Sequence, residues 1–149
     1  MTTLCDGRIV KNFSLREMAN NQAADAIKLV LTPDVVEFAQ MVQEFRDWYC
    51  KPMTVNSWYR TKAFNAKCGG SANSAHLKGT AMDWGISGHT DRQRNNVTSK
   101  WKQICAEHKV FGKINWYTHG YHLEAFSDKA YGATANWKVC DYRGQKGDW

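Results

Sequence analysis

The stretch Ser74-Ala75-His76-Leu77-Lys78-Gly79-Thr80-Ala81-Met82-Asp83 sets an imidazole and a carboxylate in a frame of small residues. Further along, His119-Gly120-Tyr121-His122-Leu123-Glu124 supplies more imidazole and carboxylate. Two imidazoles and one carboxylate suit Zn²⁺, which takes nitrogen and oxygen donors in tetrahedral geometry, so the two stretches together suggest a His/Asp/His zinc site. A fourth position left open would hold water. Zinc lowers the pKa of such a water from about 15.7 to about 7 and polarises a neighbouring carbonyl, which is the chemistry of amide hydrolysis.

The pattern Ser-x-His-x-x-Gly-x-Ala-x-Asp over Ser74 to Asp83 is preceded by Ser57-Trp58-Tyr59-Arg60 and followed by His122. With Asn12-Phe13-Ser14-Leu15-Arg16-Glu17 and the Asn65-to-Ser74 approach, it resembles the D-alanyl-D-alanine carboxypeptidase and L-alanyl-D-glutamate endopeptidase family of zinc peptidases. VanX- and VanY-like enzymes and phage endolysins that cut peptidoglycan stem peptides belong to that family. The resemblance runs from about Asn12 to about Phe126. It implies a catalytic Zn²⁺ on His76, Asp83 and His122, and a substrate-binding arginine at Arg60. Guanidinium forks match carboxylates, and stem peptides offer a free D-amino-acid or D-glutamate carboxylate near the cut. Ser74 is expected to support the same pocket, by bonding substrate or by fixing the loop. Trp58, Tyr59 and Trp84 either line the cleft or pack behind it.

A zinc peptidase needs a group that takes the water proton and passes it to the leaving amine. The family usually carries Asp or Glu three residues before the last histidine ligand, and this chain departs from it with His119. An imidazole beside a cation has its pKa pulled below the ordinary value of about 6.5, so His119 is the expected base. Glu124 is the alternative; it falls two residues past His122, on the same face of a regular strand, where it would serve as base or orient the ligand histidine. His89 and His108 are read as ordinary surface or core histidines.

At 149 residues the chain is the size of one domain, read as a core over about 12–126 with an extension over 127–149. Hydrophobic residues make up 43%, with seven Trp, six Tyr and six Phe, a composition that excludes a disordered chain. The net charge of +6 favours anionic partners such as wall polymers, although no Lys/Arg run marks a dedicated site. Nucleic acid is not an expected partner, since no binding motif accompanies the charge. Cys5, Cys50, Cys68, Cys105 and Cys140 show neither a Cys-x-x-Cys pair nor a disulfide framework. Neither an export signal at Met1 to Asp6 nor an apolar span is read, so a wall-cutting enzyme of this kind would reach its target after lysis, holin-mediated release or particle delivery.

Elements that must position the ligands follow from short-range signals. Ser14-Leu15-Arg16-Glu17 is a capping box opening a short helix. Thr32-Pro33-Asp34 starts a second, with Val35, Phe38, Met41, Val42, Phe45, Trp48 and Tyr49 at helical spacing. Pro52 to Ser57 reads as a strand, Arg60 to Cys68 as a helical turn ended by Gly69-Gly70, and Gly79 to Trp84 as a strand with His76 at its mouth. Thr90 starts a helix running toward His108, and Lys109 to Tyr117 and Tyr121 to Phe126 are strands around a tight His119-Gly120 connection. The tail from Asp128 shows no periodicity. The sum is an α+β domain, Hedgehog/D-Ala-D-Ala peptidase-like, whose small antiparallel sheet carries the zinc site between about three helices. Function is expected to be L-alanyl-D-glutamate endopeptidase activity of phage-endolysin type. The alternatives are a D,D-carboxypeptidase and a wall-binding module that keeps zinc without catalysis.

Overall fold

A computed structural model describes residues 8–19, 29–126 and 137–149. The chain start read for an export signal, Cys5, and Asp128 and Gly132 of the tail lie outside the described residues.

Helix α1 (Leu15–Met18) opens as expected: the Ser14 hydroxyl accepts from the Glu17 amide at 3.1 Å, and the Glu17 carboxylate accepts from the Ser14 amide at 3.2 Å. Helix α2 (Pro33–Tyr49) is capped by Thr32, with proline in its first turn. Its stripe Val35, Phe38, Met41, Val42 and Phe45 is fully buried, while Trp48 turns out to solvent where the helix ends at Cys50. Strand β1 (Thr54–Ser57) and α3 (Lys62–Lys67) lead to a 3₁₀ turn at Ala75–Lys78. Gly79 closes that turn in a left-handed conformation at φ 76°, which glycine adopts without steric cost. After β2 (Ala81–Gly85), Thr90 and Gln93 form a second capping box opening α4 (Asp91–Glu107). Strands β3 (Gly112–Tyr117) and β4 (Gly120–Ala125) make the expected hairpin, and β5 (Trp137–Asp141) follows.

The five strands form one sheet in the order β1-β2-β4-β3-β5. β1 to β4 pair antiparallel, and β5 adds to β3 as a parallel edge, with Asn115 opposite Cys140. That strand went unread in the sequence because an exposed edge lacks the apolar alternation that marks a half-buried strand. The α+β class with the ligand-bearing sheet is borne out.

One sheet face carries Met82, Trp84, Ile114, Tyr121 and Leu123, all 0% exposed, against α2 and α4. Phe38, Phe45, Trp58, Trp84 and Trp101 meet edge to face, with centroids 5.5 Å apart for Phe38–Trp58 and 5.6 Å for Phe45–Trp84. Trp58 and Trp84 are therefore core residues rather than cleft lining. Cys105 is sealed at 2% exposure, and burial pushes its thiol pKa up to about 12. His108 ties α4 to α2 through a 2.6 Å contact with Glu44. No helix of the described residues is long and apolar enough to cross a membrane.

Candidate functional site

The opposite sheet face carries the chemistry. Register sets Asp83 on β2 directly across from His122 on β4, and Asn115 on β3 across from His122 on the other side. Alternation along a strand then puts Ala81, Asp83 and Gly85 on one face with Glu124, His122 and Gly120. His76 reaches the same place from the 3₁₀ turn. Ser74 caps that turn, its hydroxyl accepting from the His76 amide at 3.2 Å, so its observed part is to hold the ligand loop.

Donor atoms of His76, Asp83 and His122 lie within 4.8 Å of one another. His76 Nε2 is 3.3 Å from Asp83 Oδ2, and His122 Nδ1 is 2.9 Å from Asp83 Oδ1. Those spacings approach the ~3.4 Å edge of a tetrahedron built on ~2.1 Å metal–ligand bonds. The outer nitrogens are committed elsewhere. His76 Nδ1 donates to the Trp58 carbonyl at 2.6 Å, leaving Nε2 to face Asp83. His122 Nε2 meets Glu124 Oε1 at 2.8 Å, leaving Nδ1 to face the same carboxylate. A carboxylate or carbonyl behind each imidazole is the usual support of a metal-binding histidine. The residues fit zinc in type, spacing and tautomer.

Electrostatics agree. Burial pushes the His76 pKa below its ordinary value, which favours the neutral, ligating ring. Burial opposes ionisation of Asp83 too, yet His76 and His122 hold its carboxyl well below the usual range. For His122 burial works against the charged ring, but hydrogen bonds to Asp83 and Glu124 prevail and lift its pKa to about 9. A metal ion held here would take the position that a proton fills in its absence.

Arg60 also belongs to this cluster. Its Nη2 lies 3.2 Å from Asp83 Oδ2, its Nε donates to Ser57 Oγ at 2.8 Å, and its Nη1 to Asn65 Oδ1 at 3.3 Å. Asn65 in turn donates to the Ser71 carbonyl at 2.9 Å and braces the loop before His76. Sequence reading had Ser57 and Asn65 only as parts of the motif, with no role assigned, and missed Asn115, whose signal is its register opposite His122.

His119 is not drawn into the donor group. It sits in the β3–β4 turn, where its Nδ1 pairs with Ser87 Oγ at 2.8 Å and its amide donates to the Trp149 carbonyl at 2.6 Å. The Gly85–Gly120 pair separates it from the Asp83–His122 pair. Glu124, by contrast, is on the ligand face and buried. His89 bonds the Tyr121 hydroxyl on the far side of the sheet, and neither it nor His108 contacts the cluster.

A model of the Peptidase M15 family matches residues 11–121. The chain belongs to that family. Peptidase M15 members are zinc-dependent metallopeptidases acting on peptidoglycan peptides, so the resemblance read from Ser74 to Asp83 holds for most of the chain. The match ends one residue before His122, and the place of His122 in the candidate ligand group rests on the geometry described above. No curated protein matches the chain.

Proposed function

We propose that this metallopeptidase hydrolyses the L-alanyl-D-glutamate bond of peptidoglycan stem peptides, in the manner of a phage-type endolysin. The observation that carries the reading is the buried His76/Asp83/His122 group with its outer nitrogens already engaged and Arg60 beside it. Bound at this group, zinc supplies an activated water and a Lewis acid toward the scissile carbonyl. The chain's own residues do the rest. Trp58 and Glu124 fix the tautomers of His76 and His122, and Glu124 acts by orienting its histidine. Arg60, pinned by Ser57 and Asn65, offers a guanidinium to the substrate carboxylate. Ser74 keeps His76 in place. His119, exposed at the hairpin turn, is assigned proton transfer, exchanging Ser87 for the substrate side.

A D,D-carboxypeptidase would use the same groups on a terminal D-alanine. Incubating the zinc-loaded protein with peptidoglycan of defined stem peptide, with and without chelator, separates the readings by mass spectrometry. New L-alanine carboxyl and D-glutamate amino termini that disappear with chelator are expected. Loss of only a terminal D-alanine would replace the endopeptidase by the carboxypeptidase, and no cleavage with zinc verified would leave a wall-binding module.

A further inference from the structure

The β3 edge of the ligand face carries a hydroxyl that no part of the reaction above uses. Tyr117 follows Asn115 by two residues, so both project to the face of Asp83 and His122, and Asn115 is the direct neighbour of His122. The Asn115 amide donates to the Tyr117 oxygen at 3.4 Å, which draws the phenol toward the His122 row. With a lone pair so occupied, the phenolic hydrogen points elsewhere, and it finds no acceptor among the described residues. The side-chain carbonyl of Asn115, a residue 5% exposed, is likewise without a hydrogen-bond partner among them. Arg60 flanks the ligand group from the β1 side, and Tyr117 flanks it from the β3 side.

Two aromatic rings from the stretch that follows β5 hold the Tyr117 ring. Tyr142 stacks on it at 5.6 Å and 15°, and Trp149 at 4.6 Å and 18°. Trp149 rests over Gly120, where any Cβ would come within 2.4 Å of the indole. The segment bearing Tyr142 and Trp149 is fastened by the Asp148 carboxylate, which accepts from the Thr118 amide at 2.7 Å, from the Thr118 hydroxyl, and from the Gly144 amide at 2.9 Å. Tyr142, Gly144, Asp148 and Trp149 fall beyond the stretch matched to the family, while Thr118 lies within it.

We infer that Tyr117 is a catalytic residue of the proposed hydrolysis, donating a hydrogen bond to the scissile carbonyl oxygen as negative charge gathers there, and that Tyr142 and Trp149 position it. No proton is transferred and no bond to the tyrosine forms; the donor acts because its direction is fixed before the charge develops. The inference rests on the peptidase reading, and Arg60 and Tyr117 would then grip the substrate from opposite edges.

Tyr117→Phe removes the hydroxyl and keeps the stack. For the zinc-loaded variant, kcat on a stem-peptide substrate is expected to fall about 10²-fold or more, the usual loss of one such donor, with KM nearly unchanged. Affinity for a phosphinate analogue of the L-alanyl-D-glutamate link, whose tetrahedral oxygens imitate the charged state, should fall in parallel. Zinc content should match the parent. Trp149→Ala, which loosens the ring but leaves the hydroxyl, should lower kcat and phosphinate affinity less. A Tyr117→Phe protein that keeps both kcat and phosphinate affinity, measured beside an active parent, overturns the inference. An inactive zinc-loaded parent would instead overturn the peptidase reading.

Discussion

Strand β4 places two kinds of chemistry on alternate residues. Tyr121, Leu123 and Ala125 face the helices and pack as core, whereas Gly120, His122 and Glu124 face the other way and are held by charge and hydrogen bonding. Both sets are buried, so burial alone does not tell them apart. What differs is the source of stability. An apolar side chain is held wherever volume and shape fit, while the imidazole of His122 depends on the particular carboxylates at its two nitrogens. Substitutions on one parity should therefore change folding, and those on the other should change metal and activity.

The sharpest separation comes from Asp83→Ala, which removes the one carboxylate shared by both imidazoles. Activity and stoichiometric zinc should both be lost, read by metal analysis and by product formation, with helix content retained in circular dichroism. His119→Ala should lower kcat by about 10²- to 10⁴-fold with zinc retained, the range for an acid–base group; an unchanged rate would return that role to another residue. On the core parity, Leu123→Ala should cost about 2–5 kcal/mol in chemical denaturation while leaving zinc stoichiometry intact in the folded protein. Glu124→Gln keeps shape but weakens the support of His122, and should reduce zinc affinity by about 10- to 100-fold in a competition titration.

pH gives the smallest effect and a definite sign. In the metal-free protein the His122 pKa is raised from 6.5 to about 9, so its charge contributes stability that is fully present below the unfolded value. That contribution is lost as pH rises through about 9. The melting temperature of chelated protein should decline from pH 6.5 to 9, and zinc affinity should increase over the same interval because the competing proton leaves. A melting temperature that climbs across this interval would contradict the carboxylate–imidazole arrangement.

Legibility in the sequence followed the range of the interaction. Ser14, Thr32 and Thr90 announced their helices because a cap is settled within a turn of chain. His76, Asp83 and His122 were legible because their residue types and order match a known metal pattern, and register then brought Asp83 opposite His122. Asn115 and Tyr117 were not, since their relation to the ligands depends on which strand lies beside β4. β5 was silent because its exposed edge shows no apolar alternation. Trp58 and Trp84 were ambiguous as cleft or core until the helices were placed over them. His119 was read by its distance along the chain from His122, but its ring answers to Ser87, a neighbour across the sheet.

Cys105, sealed on the inner face of α4 with its thiol held protonated, doubles as a built-in reporter. Exposed Cys50 and Cys68 should label at once with an alkylating reagent, whereas Cys105 should label only when the domain opens. Mass spectrometry of that one site, with and without zinc, would thus time the opening of the fold and measure how strongly the ion holds it closed, without any substrate.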